Sequence, residues 1–244
     1  MSYVTRHARA REFSQKDTLY LHGDTMRTFV DTASHRVLTA YPRVRFYRVD
    51  VQGLCDSMAF SQADTIVRMY RHALLWNDNK QISGEQINVH LNDSTVDWAT
   101  LPSSGIMAEH LGENYYNQLS GRQMRAEFEQ KELRRLSVDG NVLTLFYPQE
   151  KDSTYNKLIS AESSYLTIDL KPKQQIDKVK MWPEVNGKVI PLFLAKRTDL
   201  YLPGFQWYDN LRPHNPDEIY DVSSEMMQLL SQPETGGRHR ASGR

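Results

Sequence analysis

The stretch Ser83-Gly84-Glu85-Gln86-Ile87-Asn88-Val89-His90-Leu91-Asn92-Asp93-Ser94-Thr95-Val96-Asp97-Trp98 decides how this chain is read. From Gln86 to Leu91 polar and apolar residues alternate without a break, which puts Ile87, Val89 and Leu91 on one side. Asn92-Asp93-Ser94 is a cluster of turn formers, and Thr95-Val96-Asp97-Trp98 resumes the alternation. Successive side chains of an extended backbone point to opposite faces. The pattern therefore predicts two half-buried antiparallel strands joined by a polar turn.

The same reading extends in both directions. Thr18-Leu19-Tyr20-Leu21-His22 places its leucines on one face, and Arg43-Val44-Arg45-Phe46 separates apolar from cationic side chains in the same way. Asn77-Asp78-Asn79 and Asp139-Gly140-Asn141 are further turns. The unit also recurs. Gly23-Asp24-Thr25-Met26, Cys55-Asp56-Ser57-Met58, Ser83-Gly84-Glu85-Gln86-Ile87 and Ser120-Gly121-Arg122-Gln123-Met124 each lead small or polar residues into an apolar anchor, and Ser160-Ala161-Glu162-Ser163-Ser164-Tyr165 is a looser copy. The anchors Met26, Met58, Ile87, Met124 and Tyr165 are spaced 32, 29, 37 and 41 residues apart. A hairpin repeated at this period predicts a stacked all-β architecture in which the anchors share an inner face while Asp24, Asp56, Glu85 and Arg122 point out.

Two segments need separate treatment. Gly121 to Leu136 is rich in helix formers, yet its register within the repeat favours strands, with Met124, Ala126 and Phe128 on one face. Near the C-terminus Asn215-Pro216-Asp217-Glu218 reads as a helix start with Asn as cap, Pro at the first helical position and Glu closing a capping box. The expected helix runs to about Leu230. Residues 232–244 read as a flexible basic tail.

Composition narrows the function classes. The chain has 244 residues, 30 Lys+Arg against 30 Asp+Glu, and a formal net charge of +0. A nucleic-acid binder needs an excess of cations to displace counterions from phosphates, so that class is disfavoured. The hydrophobic fraction is 39% and the mean hydropathy −0.63, which fits a thin two-layer β structure. The one cysteine, Cys55, excludes an internal disulfide framework and a Cys-based zinc site, and nothing beside it in sequence lowers its pKa. No apolar run is long enough for a transmembrane helix. Met1 to Phe13 is basic, with Arg6, Arg9 and Arg11, and lacks the apolar centre of a secretory signal.

No Gly-x-Ser-x-Gly elbow, phosphate-cradling glycine loop or His-Glu-x-x-His motif is present. Glu109-His110 with Glu113 can be drawn as a metal or acid/base cluster, but a polar connection between strands is the simpler reading. His22, His72 and His90 flank strands and read as solvated strand ends. The expectation is therefore no enzyme, no metal and no cofactor. What remains for function is the alternating apolar set: Met26, Val44, Phe46, Met58, Phe60, Met69, Ile87, Val89, Leu91, Met124 and Phe128. If two layers press together these residues are core. If the layers splay apart they line an apolar groove that suits acyl chains, methionine being flexible and polarizable.

Several longer segments carry a family resemblance. They are Asp17-Thr18-Leu19-Tyr20-Leu21-His22-Gly23-Asp24-Thr25, Ala40-Tyr41-Pro42-Arg43-Val44-Arg45-Phe46-Tyr47-Arg48 and Gln52-Gly53-Leu54-Cys55-Asp56-Ser57-Met58. With them go Val138-Asp139-Gly140-Asn141-Val142, Ala161-Glu162-Ser163-Ser164-Tyr165, and Phe205-Gln206-Trp207 with Arg212-Pro213. In their order and spacing, across roughly residues 3 to 220, these resemble the OstA-like family of lipopolysaccharide transport, to which LptA and the N-terminal domain of LptD belong, and in particular its long variants. The resemblance implies bent hairpins stacked into an open two-layer β-jellyroll over residues 1–205, continuing upstream in a longer protein. A C-terminal cap and helix at 206–231 and the tail at 232–244 follow. It implies a periplasmic module of the Gram-negative envelope, serving outer-membrane biogenesis, that holds the acyl chains of lipopolysaccharide or a similar glycolipid in its groove without chemistry. The eleven apolar residues above would be the lipid-binding set, with Arg43, Arg45 and Arg48 meeting phosphates. Partners would be other modules of the family, or further copies of this chain, stacking through edge strands. The signal peptide would lie upstream. The alternative is a non-catalytic β-repeat scaffold that binds only protein partners in the envelope.

Overall fold

The structure, a computed structural model, describes residues 2–12, 18–92 and 95–233. Its strands are β1 (Ser2–Glu12), β2 (Leu19–Val30), β3 (Arg36–Tyr41), β4 (Val44–Arg48), β5 (Val51–Cys55), β6 (Ser57–Ser61), β7 (Ile66–Asn77) and β8 (Lys80–Asn92). They continue with β9 (Thr95–Leu101), β10 (Gly105–Gly112), β11 (Tyr115–Gly121), β12 (Gln123–Glu129), β13 (Glu132–Phe146), β14 (Lys157–Lys171), β15 (Gln175–Trp182) and β16 (Asn186–Pro191). All pair antiparallel.

The long strands β2, β7, β8, β13 and β14 each pair with one neighbour along one half and with another along the other half. Thus β8 meets β10 through Lys80–Gly84 and β9 through Asn88–Asn92. The short strands come as consecutive pairs (β3–β4, β5–β6, β9–β10, β11–β12 and β15–β16), one member in each layer, so that every pair is in effect one bent rod broken at a corner. The chain is a plain meander of such rods, each folded into a V. One arm of every rod builds layer A (β3, β6, β9, β12, β15 and half of each long strand). The other builds layer B (β4, β5, β10, β11, β16 and the remaining halves). This is the stacked all-β architecture expected from the alternation, in the form of the open two-layer β-jellyroll that the resemblance implies.

The repeated sequence unit turns out to be the corner. In β7 the register jumps between Tyr70 and Ala73, where Arg71 and His72 take φ of 59° and 50°; in β13 it jumps between Asp139 and Val142 across Gly140 (φ 77°) and Asn141 (φ 53°). Such looped-out residues bend a strand sharply. Backbone bonds carry the pairing across the crease: Asp24 N–H to Pro42 O, 3.2 Å; Asp56 N–H to Arg71 O, 3.1 Å; Arg122 N–H to Gly140 O, 2.8 Å. The layers come closest here, and glycines fill the inward positions. A Cβ on Gly105 or Gly121 would overlap the side chain of Leu101 or Val138.

Just past the crease the anchors Met26, Met58, Ile87 and Met124 are 7%, 8%, 1% and 3% exposed, all on the inner face. The fifth copy is one residue out of phase: Tyr165 is 41% exposed and Leu166 takes the inner place at 2%. The helix-rich 121–136 stretch forms the β12–β13 hairpin, turning through Gln130 and Lys131 at φ 52° and 66°.

After β16 the chain runs back across the outer face of layer B from β14 to β2, as far as α1 (Ser224–Ser231). This strap is fastened by buried side chains. Gln118 donates to Leu200 O (2.8 Å) and accepts from Leu202 N–H (2.8 Å), and Gln81 donates to Gln206 O (2.8 Å) and accepts from Tyr208 N–H (2.7 Å). Gln52 accepts from Arg212 (2.8 Å), and Arg45 donates to Ile219 O (2.9 Å). Leu211, Met226, Leu229 and Leu230 then close over Leu54, Leu74 and Trp76.

The helix begins later than the sequence suggests. Asn215 Oδ1 accepts from the N–H groups of Asp217 (3.0 Å) and Glu218 (3.1 Å), so the capping-box residues close only a 3-10 turn, Glu218–Tyr220. Ser223 caps α1 by accepting from Met226 N–H (3.1 Å). The expected tail at 232–244 lies outside the described residues from 234 onward.

Candidate functional site

The inner faces of the two layers meet at the crease and diverge from it. Their apolar side chains form three levels. At the crease itself sit Val44, Cys55, Ala73 and Val142, each 0% exposed. Burial pushes the Cys55 thiol far up, with the Asp56 carboxylate adding to the shift against an opposing bond from Tyr70 N–H, so the thiol is inert.

The next level is a floor. On layer A, Met26 lies opposite Ala40, Ala40 opposite Met58, Met58 opposite Met69 and Met69 opposite Ile87. The row resumes with Leu101 opposite Met124, Met124 opposite Val138 and Val138 opposite Leu166. On layer B, Leu21 lies opposite Phe46, and the Phe46 ring lies over Gly53, filling the space a side chain there would need.

Towards the mouth both walls become half-buried. Layer A presents Leu38, Phe60, Val67 and Val89 in one cross-strand row. Layer B presents Leu75, Ile82 and Met107 in another. Further along the groove Phe128, Leu133 and Ile168 continue the wall, while Leu19 and Val51 stand at the mouth of layer B. Each such side chain, moved fully out of water, is worth about 1.5–3 kcal/mol, so the mouth holds unspent burial.

The eleven expected lipid-binding residues divide accordingly. Met26, Val44, Phe46, Met58, Met69, Ile87 and Met124 are buried in the floor and crease. Val89 and Phe128 are half-buried against that core, and Phe60 and Leu91 are half-buried outside it, Leu91 lying past a bulge opposite Val96. The half-buried wall of Leu38, Val67, Leu75, Ile82, Met107, Leu133 and Ile168 was missed. For most of them the signal was present: Leu38, Val67, Leu75 and Ile168 stand two residues along a strand from a floor or crease residue, and Ile82 and Met107 two from the paired corner glycines Gly84 and Gly105, whereas Leu133 lies beyond a register shift in β13.

The three arginines expected at phosphates are engaged elsewhere. Arg43 pairs with Asp24 at the corner. Arg48 is held by Asp50, with Nη2 at 3.0 Å from Oδ2. Arg45 lies 6% exposed beneath the strap on the outer face of layer B; burial lowers it to about 10, partly offset by Asp221 and Glu218. Two ion pairs stand at the mouth, Lys80 with Glu109 at 3.3 Å and Lys157 with Glu150 at 2.7 Å. Between the layers these residues build an apolar trough.

The histidine expectations also change. His22 is 4% exposed, edge-on to Tyr220 of the strap at 5.0 Å, and is no solvated strand end. His72 sits at the bend of β7 within 2.9 Å of Gln232 O. Glu109 serves Lys80 and Asn117, while His110 stacks on Tyr116, so the three polar residues around position 110 do not converge. Among the described residues no group of three or more His, Cys, Asp or Glu is placed to hold a metal ion, and no helix is long and apolar enough to cross a membrane.

No protein-family model matches this chain, and no curated protein matches it. Among solved structures it is similar to LptH of Pseudomonas aeruginosa, described as the LptA-homologous periplasmic component of the conserved lipopolysaccharide transport device. The two are 10% identical; the match covers 55% of this chain and 95% of that one, with a TM-score of 0.38.

Proposed function

We propose that this chain is a lipopolysaccharide-binding and transport module of the periplasm, holding acyl chains between its two layers on the way to the outer membrane. The observation that carries the reading is the graded burial of the inner faces. A sealed floor of Met, Leu and Ile gives way to half-exposed apolar walls on both layers, along an open mouth. A sealed core would bury those walls, whereas a trough that takes an apolar guest leaves them partly in water. Each methylene transferred into it contributes about 0.8 kcal/mol. The family resemblance in sequence points the same way: its segments within the strands fall on or beside the corners of the rods, and Phe205-Gln206-Trp207 with Arg212-Pro213 lie in the strap behind layer B. The lipid-contacting residues are the half-buried walls, including Phe60, Val89, Leu91 and Phe128 of the expected set. Met26, Met58, Met69, Ile87 and Met124 support them from below.

The reading is tested with a photoreactive residue in place of Val89, and in place of Asn88 as the opposite-face control, in the presence of lipopolysaccharide. Labelling from position 89 and little from 88 is expected. Equal labelling from both, or none from 89 in a folded chain, refutes the groove. A second reading is then left, a non-catalytic scaffold that binds protein partners. It is favoured by the unpaired outer sides of β15 and β16, where Val179 and Val189 are 49% and 60% exposed. Edge-strand pairing with other modules is part of the first reading as well.

A further inference from the structure

Where the chain leaves β16 it makes a 3-10 turn, Leu192–Leu194, before entering the strap. β16 runs from Asn186 near the crease to Pro191, which lies opposite Lys157 at the mouth, so the turn stands on the lip of layer B. Leu192 is half-buried and packs inward on the cluster of Leu145, Tyr147, Leu158 and Leu202, and its N–H donates to Asn156 O (2.9 Å). Ala195 N–H closes the turn on Leu192 O (3.1 Å), and Asp199 accepts from Lys196 N–H (2.9 Å) just beyond it. A fixed turn thus holds Phe193 and Leu194 outward. They are 85% and 63% exposed, and Phe193 is the most exposed large apolar side chain among the described residues.

Two observations say what meets this turn. The first is charge. Lys196 and Arg197 follow at once, both exposed, and Lys188 precedes on β16. None of the three has a carboxylate within ion-pair distance among the described residues, and Asp199, the nearest acid in the chain, is turned onto the Lys196 N–H. The second is continuity. Leu145 and Leu158 face the strap, so Phe146 and Ile159 face the groove, with Val189 opposite Ile159 in the same row. Phe146 is 41% and Val189 60% exposed. The apolar lining of layer B therefore climbs to the lip, and Phe193 and Leu194 crown it. A side chain that stands almost wholly clear of its neighbours gains most in a medium that closes around it. Protruding aromatic and aliphatic groups with unpaired cations beside them suit the interface of a bilayer that carries negative headgroups.

We propose that this lip docks on an anionic phospholipid surface. Phe193 and Leu194 enter the acyl region, Lys196 and Arg197 meet the phosphates, and the groove opens beside the bilayer. The contact is peripheral and needs no spanning segment. It goes beyond the lipopolysaccharide reading and does not require an occupied groove.

Flotation of the full chain with vesicles tests this. Vesicles of phosphatidylcholine alone are compared with vesicles carrying about 30 mol% phosphatidylglycerol. The variants are Phe193→Ser with Leu194→Ser, Lys196→Glu with Arg197→Glu, and Val89→Asp as a groove control. The four lip residues are exposed, and circular dichroism melts confirm that each chain is folded. The natural chain should float with the anionic vesicles, and each lip variant should partition at least about tenfold less. Val89→Asp should float as the natural chain does. A natural chain that floats with neither vesicle leaves the lip to a protein partner and overturns the inference. Flotation of the serine variant equal to that of the natural chain overturns it too. So does a loss confined to the charge variant, because the cations would then act without insertion. Loss in Val89→Asp with retention in the serine variant would put the bound lipid in the groove and not at the lip. Lipopolysaccharide labelling at position 89 without vesicles reports on the groove separately.

Discussion

Replacing Gln81 by Ala isolates what holds the strap to layer B. Gln81 is 2% exposed and makes three bonds: it accepts from Trp76 Nε1 (3.2 Å) and from Tyr208 N–H (2.7 Å), and donates to Gln206 O (2.8 Å). Truncation removes all three and strands two donors and an acceptor between the strap and the sheet, where Trp76 is 0% exposed. A buried polar group left unsatisfied costs about 1–3 kcal/mol. With some relief from water entering the vacated space, the expected loss is about 3–5 kcal/mol. For a chain of this size each kcal/mol moves the thermal midpoint by about 2–4 °C, so a fall of roughly 6–20 °C is expected. Gln81→Glu gives a sign test. A carboxylate cannot donate to Gln206 O and is penalised by burial, which raises its folded-state pKa above the unfolded value. The penalty is therefore full at neutral pH, and stability recovers as the pH falls through that raised pKa, because the protonated acid donates again. Urea unfolding from pH 7 to pH 4, with hydrogen exchange at Tyr208, reads both effects. A Gln81→Ala cost below about 1 kcal/mol, or a Glu variant that loses stability relative to the natural chain on acidification, would refute the strap's dependence on this side chain.

The floor and the walls should respond differently to substitution. Met69→Ala is expected to cost about 2–5 kcal/mol in urea unfolding, because Met69 is 0% exposed. Val89→Asp should leave the chain folded and remove lipopolysaccharide labelling from a photoreactive residue placed at position 60 in the same wall. The reverse pattern would mean that the ligand, if any, sits elsewhere. Gly121→Ala should cost about 1–3 kcal/mol through overlap with Val138, and the cost should shrink in a Val138→Ala background; unchanged additivity would show that the crease is not sterically tight. Cys55, 0% exposed and with its thiol pushed up by burial, should resist a thiol reagent in the native state and react on unfolding. Rapid native labelling would show that the layers part at the crease.

Much of this arrangement was legible because a strand's side-chain period is two. Alternation around Ile87 and Val89 fixes which side chains share a face, and the spacing of Met26, Met58, Ile87 and Met124 marks every second rod of the meander, the rods that run from layer B to layer A. Small and turn-forming residues ahead of each anchor mark the corners, since bending a strand between two close layers requires glycine or left-handed backbone. Tyr165 misled because the looser fifth copy shifts by one residue, and one residue exchanges the faces. The buried glutamines were also in the repeat. Gln52, Gln81 and Gln118 each stand six residues before Met58, Ile87 and Met124, on the outer face.

The sequence by itself determined the all-β class, the inner face and the corner positions, because each of these follows from chemistry within a few neighbouring residues. The tertiary structure decided two things that no local pattern encodes. The first is how far the layers part, which separates the sealed Met69 from the half-open Val89 although both sit on the same face of adjoining strands. The second is the return of residues 192–231 across the back of layer B, which buries Arg45, His22 and Trp76 from the side that alternation assigns to solvent. The run Ala73-Leu74-Leu75-Trp76, apolar on both faces, is the local trace of that second cover. What covers it comes from more than a hundred residues away in the chain, and long-range contacts of that kind are settled only when the whole sheet has formed.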